Sequence, residues 1–349
     1  MKAFSRFSLI LILVLITSQV KAQNHYNRFE SIDVQHYRFE LNLNDRSNQI
    51  SGIANIKITF LKPSYTCRLD LVECNNDGIG MQVENVVFED NFISFKHKDS
   101  VLELEFPRQI QTSETIEIKI DYIGNPADGL IISENKYGDR TFFGDNWPDR
   151  ARNWLPCVDH PSDKATVEFL VYAPAHYKVV ANGRLLERKV LAENNVSHWK
   201  EDVPISTKLM VIGAADFVVG NDTVWNGIPV NAWVFKENAD HGLYNYRFGT
   251  KALQYYSELI GPYSYEKLAH VQSKTHYGGM ENASCIFYSE NSAVSDQSQE
   301  RLFAHEVAHQ WFGNSATEQN WHHVWLSEGF ATYLTHIYNQ HFYGEQVFR

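Results

Sequence analysis

Polar and apolar residues alternate along much of the first two thirds of the chain. In His36-Tyr37-Arg38-Phe39-Glu40-Leu41-Asn42-Leu43 the alternation is nearly unbroken, and Ile53 to Phe60, Val101 to Phe106 and Thr115 to Tyr122 repeat it. A period of two lines one face of an extended strand with apolar side chains, and Asn, Asp, Gly and Pro clusters bound the runs. Asn182-Gly183 marks a turn. Many short strands of this kind predict sheets packed on one another over residues 23–235. The texture changes near residue 238. Residues 239–260 have helical spacing, with Leu243, Tyr246, Leu253, Tyr256 and Leu259 near one face, and Gly261-Pro262 ends the run. After a strand-like and loop-like stretch over 268–290, the spacing predicts a helix from Ser298 through His309 and another from near Ser327. An α+β protein is expected, with an all-β N-terminal domain and a second, mainly α domain over 236–349.

Composition fits two ordered domains. The chain has 349 residues, of which 44% are hydrophobic and 21% charged, enough apolar surface for sizeable cores. A net charge of −11 argues against a nucleic-acid partner, which calls for a basic face. Residues 1–22 read as an export signal. Lys2 and Arg6 precede the apolar run Leu9 to Ile16, and Val20-Lys21-Ala22 fits a small-residue cleavage site, leaving Gln23 as the mature start. The run is too short to span a bilayer, and no later segment is apolar enough, so a secreted or periplasmic protein without a stable membrane span is expected. The four cysteines, at 67, 74, 157 and 285, form no metal-binding pair, and a Cys67–Cys74 disulfide and free thiols are equally compatible with the sequence.

The chemistry concentrates at residues 305–309, His305-Glu306-Val307-Ala308-His309. Residues four apart share one face of a helix, so both imidazoles can reach a single tetrahedral zinc. Glu306 projects beside that face, where a carboxylate can act as a base on zinc-activated water without ligating. Phe303, Val307 and Ala308 supply a core face, and Gly313 can end the helix. Eighteen residues separate His309 from Glu328, which lies in Trp325-Leu326-Ser327-Glu328-Gly329-Phe330-Ala331 and is expected in the first turn of the next helix. Two histidines and one glutamate leave a fourth position open, which marks a catalytic rather than a structural zinc set.

These motifs resemble the M1 family of zinc aminopeptidases, which includes leukotriene A4 hydrolase. Tyr277-Gly278-Gly279-Met280-Glu281-Asn282 matches that family's exopeptidase signature, with Glu281 lying 24 residues before His305. Trp154-Leu155-Pro156-Cys157-Val158-Asp159 resembles a further family segment, and the likeness covers almost the whole mature chain. It implies a saddle-like N-terminal sheet domain followed by a thermolysin-like catalytic domain. It implies one Zn2+ per chain held by His305, His309 and Glu328, with Glu306 as general base. Peptides with a free N-terminus are the implied partners. Glu281 would bind the terminal amine, Gly278 and Gly279 would hydrogen-bond the substrate main chain, and Tyr277, Met280 and Asn282 would complete the substrate site.

Two departures from the family pattern stand out. Where many members carry Gln or Glu to assist amine binding, this chain has Trp147, with Asp145 and Asn146 as candidate substitutes. The family's transition-state tyrosine falls beyond Arg349, so an incomplete catalytic domain with weak activity is expected from residues 1–349 alone. His322, His323, His336 and His341 read as surface or outer histidines, and Arg150, Arg152 and Asp159 as candidates to bridge the domains. A thermolysin-type endopeptidase and a non-catalytic binding protein of the same fold are the competing readings, which Glu281 and the intact zinc set oppose.

Overall fold

The computed structural model describes residues 30–295 and 298–345, so the expected export signal lies outside the described residues. The strands in chain order are β1 (Ile32–Asn42), β2 (Ile50–Phe60), β3 (Ser64–Asp70), β4 (Gly80–Phe88), β5 (Asn91–Phe92), β6 (Ser94–Lys98) and β7 (Val101–Ile110). They continue with β8 (Thr115–Asn125), β9 (Leu130–Glu134), β10 (Arg140–Gly144), β11 (Lys164–Pro174), β12 (Lys178–Ala181), β13 (Arg184–Val190) and β14 (Asn194–Ser206). The last six are β15 (Ile212–Ala215), β16 (Phe217–Trp225), β17 (Ile228–Phe235), β18 (Leu268–Ser273), β19 (Gly279–Met280) and β20 (Cys285–Ser289). The helices are α1 (Ala239–Tyr246), α2 (Phe248–Leu259), α3 (Glu300–Ala308) and α4 (Val324–Tyr343).

An eight-stranded sheet, ordered β13-β14-β11-β1-β2-β8-β4-β5, dominates the N-terminal part. A three-stranded sheet, β3-β7-β6, and a four-stranded sheet, β12-β15-β10-β9, accompany it. The alternating runs read from the sequence fall in β1, β2, β7 and β8, and their apolar members, such as Tyr37, Phe39, Ile56 and Ile58, are wholly buried. All four cysteines are free thiols, and burial pushes the Cys67 thiol up to about 12. No helix among the described residues is long and apolar enough to cross a membrane.

The fourth sheet, of five strands, positions the site. Its order is β16-β17-β18-β20-β19, with β17, β18 and β20 parallel and β19 at one end. Phe303 of α3 stacks on Tyr288 of β20 at 4.2 Å between centroids and meets Tyr246 of α1 at 5.0 Å. Glu300, in the first turn of α3, accepts hydrogen bonds from Lys251 of α2 (2.7 Å) and Tyr338 of α4 (2.6 Å). A carboxylate there also suits the positive end of the helix dipole.

Three expectations about the helices need correction. Residues 239–260 form two helices that meet at Arg247, because the two segments pack on different surfaces. Gly242 of α1 lies against Val234 of β17, whereas Tyr256 of α2 faces Trp311 and Tyr338. Leu259, expected on the buried face, is exposed. Helix α4 begins at Val324, with the Ser327 hydroxyl donating to the Val324 carbonyl, so Glu328 lies in the second turn rather than the first.

Polar contacts tie the N-terminal sheets to the helical part, beside aromatic ones such as Trp147 against Trp321. Lys208 pairs with Glu318, both side chains being 1% exposed, and Lys164 donates to the carbonyls of Asn314 (3.2 Å) and Ser315 (2.9 Å). Arg152 and Asp159 pair with each other at 3.1 Å. Removing one partner of a buried ion pair strands the other charge, which typically costs about 3–5 kcal/mol, whereas replacing both by apolar groups is often neutral. Lys208→Met should therefore lower the unfolding free energy by about that much, and Lys208→Met with Glu318→Leu should restore most of it, as read by chemical denaturation. A double variant no more stable than the single one would contradict this account of the interface.

Candidate metal and substrate site

Helix α3 delivers His305 and Glu306 from its last turns, and His309 caps it. The imidazole Nε2 atoms of His305 and His309 lie 3.2 Å apart, and each is 3.6 Å from Oε2 of Glu328. Bonds of 2.0–2.1 Å in a tetrahedron give ligand–ligand separations of about 3.3–3.4 Å. The three atoms thus sit at the corners that one zinc ion would require. Among the described residues these are the one group of three or more His, Cys, Asp or Glu side chains close enough to share a metal. The Nδ1 atom of His309 lies 3.0 Å from the Phe312 carbonyl. A ring that donates there leaves Nε2 with a free lone pair for a metal.

Gly313 makes this arrangement possible. Its φ is +122°, and a Cβ there would lie 3.0 Å from His309 Nδ1 and 3.3 Å from Ser327 Cβ. The close turn brings α4 back against α3, where Phe330 stacks on Phe312 at 4.5 Å. Glu328 thereby reaches the two histidines.

The three donors open onto a cavity of about 180 Å³, lined also by Trp147, Tyr277, Gly279, Met280, Glu281 and Glu306. A larger surface groove along β8, about 500 Å³, holds Arg108 paired with Glu89 and Glu114 and has no histidine or cysteine among its described lining residues. In the smaller cavity three carboxylates converge. Burial pushes Glu306 up to about 8; His309 opposes the rise, and Glu281 and Glu328 add to it. Burial works to lower His309, but the hydrogen bond to Glu328 and the charges of Glu281, Glu306 and Glu328 raise it to about 9. Hydrogen bonds from His305 and His309 hold Glu328 well below the usual carboxylate range. The cluster demands positive charge, which a divalent metal would supply.

Of the substrate-site candidates, the structure brings Tyr277, Gly279, Met280 and Glu281 into the cavity wall. Gly278 and Asn282 stand outside that lining; the Gly278 carbonyl accepts from Ser289 N at 3.0 Å, and Asn282 is wholly buried. Gly279 has a role that spacing alone does not reveal. A Cβ there would fall 2.3 Å from Oε1 of Glu306, so glycine leaves room for that carboxylate.

The proposed substitutes for the missing amide or acid are fully employed elsewhere. Asn146 donates to the carbonyls of Thr207 (3.0 Å) and Met210 (2.6 Å) and accepts from Trp154 Nε1 (2.8 Å). Asp145 binds Arg150 and accepts from the Thr275 hydroxyl and the His276 amide. Trp147 itself lines the cavity, edge-on to Tyr277 at 5.6 Å and to Trp321 at 6.0 Å.

Two family models match the chain. The peptidase M1 N-terminal domain covers residues 33–209, and the peptidase family M1 domain covers 244–348. Leukotriene A-4 hydrolase of Xenopus laevis is 25% identical over 333 residues, which is 91% of this chain and 53% of that protein. Aminopeptidase M1 of Arabidopsis thaliana is 32% identical over 203 residues, 54% of this chain and 23% of that protein. The chain thus spans about half the length, or less, of these relatives. Among solved structures, the M1 zinc metallopeptidase of Deinococcus radiodurans matches with a TM-score of 0.76 at 25% identity, covering 89% of this chain and 71% of that one. A mutant of that enzyme bound to a Tyr-Ser-Ala substrate matches with a TM-score of 0.75 at 25% identity, over 90% of this chain and 72% of that one.

Behind the cavity, Glu201 of β14 accepts from the Ser284 hydroxyl at 2.9 Å, and Lys267 donates to the carbonyls of Ala181 (2.7 Å) and Ser284 (3.0 Å). Burial, and then the neighbouring Glu266, push Glu201 up to about 8 from 4.5. A carboxyl whose folded-state pKa is raised stabilises the fold fully below its unfolded pKa and loses that stability as pH climbs through the folded value. Unfolding free energy should accordingly fall between pH 4.5 and about 8. The slope from one such group is at most about 1.4 kcal/mol per pH unit. Glu201→Gln should flatten this window in denaturation curves taken across pH; an unchanged slope would show that Glu201 is not its source.

Proposed function

The chain belongs to peptidase family M1, and from that premise we propose that it is a zinc aminopeptidase, releasing N-terminal residues from peptides. The observation that carries the proposal is the buried carboxylate of Glu281 in the same cavity as the His305–His309–Glu328 donor set. An endopeptidase must leave its cleft open in both directions. A carboxylate beside the metal site instead favours a substrate that ends there in a cation.

Zinc held by His305, His309 and Glu328 would supply Lewis acidity toward the scissile carbonyl and bring the pKa of water to near 7. Glu306 would accept a proton from the attacking water and pass it to the departing amine. Its place supports that task, because the Glu306 carboxylate lines the same cavity as the three donors without being one of them. Gly279 keeps the space that this carboxylate needs. Glu281 would hold the free α-amine by a charge-assisted hydrogen bond and so set the cut one residue from the terminus. Strand β19 ends its sheet, which leaves a backbone edge on which an extended peptide could lie. Trp147, Tyr277 and Met280 would receive the first side chain. The bound Tyr-Ser-Ala of the Deinococcus radiodurans mutant is consistent with short peptides as the substrate class.

Two substitutions in the full-length protein separate the roles. Glu306→Gln should keep zinc and lose about 10²–10⁴ in kcat, the usual contribution of a positioned base. Glu281→Gln should lose roughly ten- to a hundredfold in kcat/KM on free-amine substrates, from the about 1.5–3 kcal/mol of one charged hydrogen bond. Assays pairing aminoacyl and N-acetyl-aminoacyl arylamides would read both, and equal cleavage of the two substrates by the wild type would overturn the aminopeptidase reading.

A further inference from the structure

The loop from Glu281 to Ser284 follows β19 and carries the amine-binding carboxylate. Its main chain is tied to the end of the zinc helix. Gln310, the residue after His309, donates from Nε2 to the Glu281 carbonyl at 2.9 Å and accepts the Ser284 amide on Oε1 at 3.0 Å. Asn314 donates from Nδ2 to the same Glu281 carbonyl at 2.6 Å. The Asn314 amide in turn donates to the carbonyl of His309 at 3.1 Å. Gln310 is 1% exposed and Asn314 wholly buried, and neither lines the cavity.

We infer that Gln310 and Asn314 are positioning residues that fix the distance between the amine-binding carboxylate and the metal centre by clamping the Glu281 carbonyl to the helix that bears His305 and His309. The inference rests on the aminopeptidase reading above. Satisfying a buried carbonyl takes one donor. Here two side-chain amides converge on one carbonyl, using both of its lone pairs. The other end of Gln310 reaches three residues on, to Ser284, whose φ of +59° is a left-handed conformation unusual for a non-glycine residue. The loop is therefore pinned at its first and last residues by a single side chain from the metal-bearing helix. Between them, the Asn182 amide group donates to the Ala283 carbonyl at 2.6 Å, closing the loop against the N-terminal sheets. A substrate held by its amine and cut at a fixed bond needs this spacing, since a misplacement of about 1 Å can cost on the order of a hundredfold in rate.

The test compares wild type, Gln310→Met and Asn314→Ser in the full-length, zinc-loaded protein. KM and kcat are measured on an aminoacyl arylamide and on its N-acetyl counterpart, with zinc content determined on the same samples. Calorimetric Kd values for leucine amide on the metal-free protein give a readout independent of turnover. The clamp predicts that Gln310→Met raises KM and the leucine-amide Kd about tenfold and lowers kcat on the free-amine substrate as well, by up to about a hundredfold as the amine-to-metal spacing drifts. The preference for the free amine should shrink by a similar factor, with zinc content unchanged. Asn314→Ser, which leaves Gln310 in place, should show the same signature at smaller size, and it carries the test if Gln310→Met does not fold. Unaltered KM and Kd in folded variants, or equal losses on both substrates, would overturn the positioning role while leaving the aminopeptidase reading intact. A wild type without preference for the free amine would overturn both.

Discussion

Everything in the second half of this protein turns on keeping carboxylates out of water beside two histidines. Glu281 and Glu306 are almost wholly buried in a cavity of about 180 Å³ that Glu328 also lines. Such a concentration of negative charge is costly unless something positive shares it. His309, raised to about 9, answers that demand with a proton, and a zinc ion at the same three donors would answer it with a double charge. The rest of the site follows. Glycine at 279 leaves volume for the Glu306 carboxylate, and glycine at 313 lets α4 bring Glu328 within 3.6 Å of both rings.

The N-terminal sheets hold this cluster in place through polar contacts. Lys208 and Glu318 form a buried pair, Lys164 caps the carbonyls of Asn314 and Ser315, and Glu201 receives the hydroxyl of Ser284. These contacts converge on two loops, 281–284 and 310–318, that flank the metal-bearing helix. Buried polar contacts give less net stability than apolar packing, but they accept only one geometry. That property suits a site where the distance between an amine and a metal decides which bond is cut.

The strands β1, β2, β7 and β8 were legible because period-two alternation reflects a sheet with one buried face. The zinc donors were legible because a four-residue spacing on a helix has one geometric consequence. Side-chain direction was not. Gln310 and Asn314 follow His309 in a run that reads as helix end and turn, and nothing in their spacing reveals that both amides face Glu281. Asp145 and Asn146 looked available for substrate, yet Arg150, Thr275, Thr207, Met210 and Trp154 occupy them. The break at Arg247 was hidden for a related reason: continuous helical spacing does not show that two halves of a run pack on different surfaces.

Anomalous diffraction at the zinc edge tests the central claim most directly. Crystals of the full-length protein grown with zinc should give one strong anomalous peak about 2.0–2.2 Å from Nε2 of His305, Nε2 of His309 and an Oε of Glu328. Glu306 should be outside bonding distance of that peak. A peak elsewhere, or one that includes Glu306 as a ligand, would contradict the assignment of three donors and one free base on which the account rests.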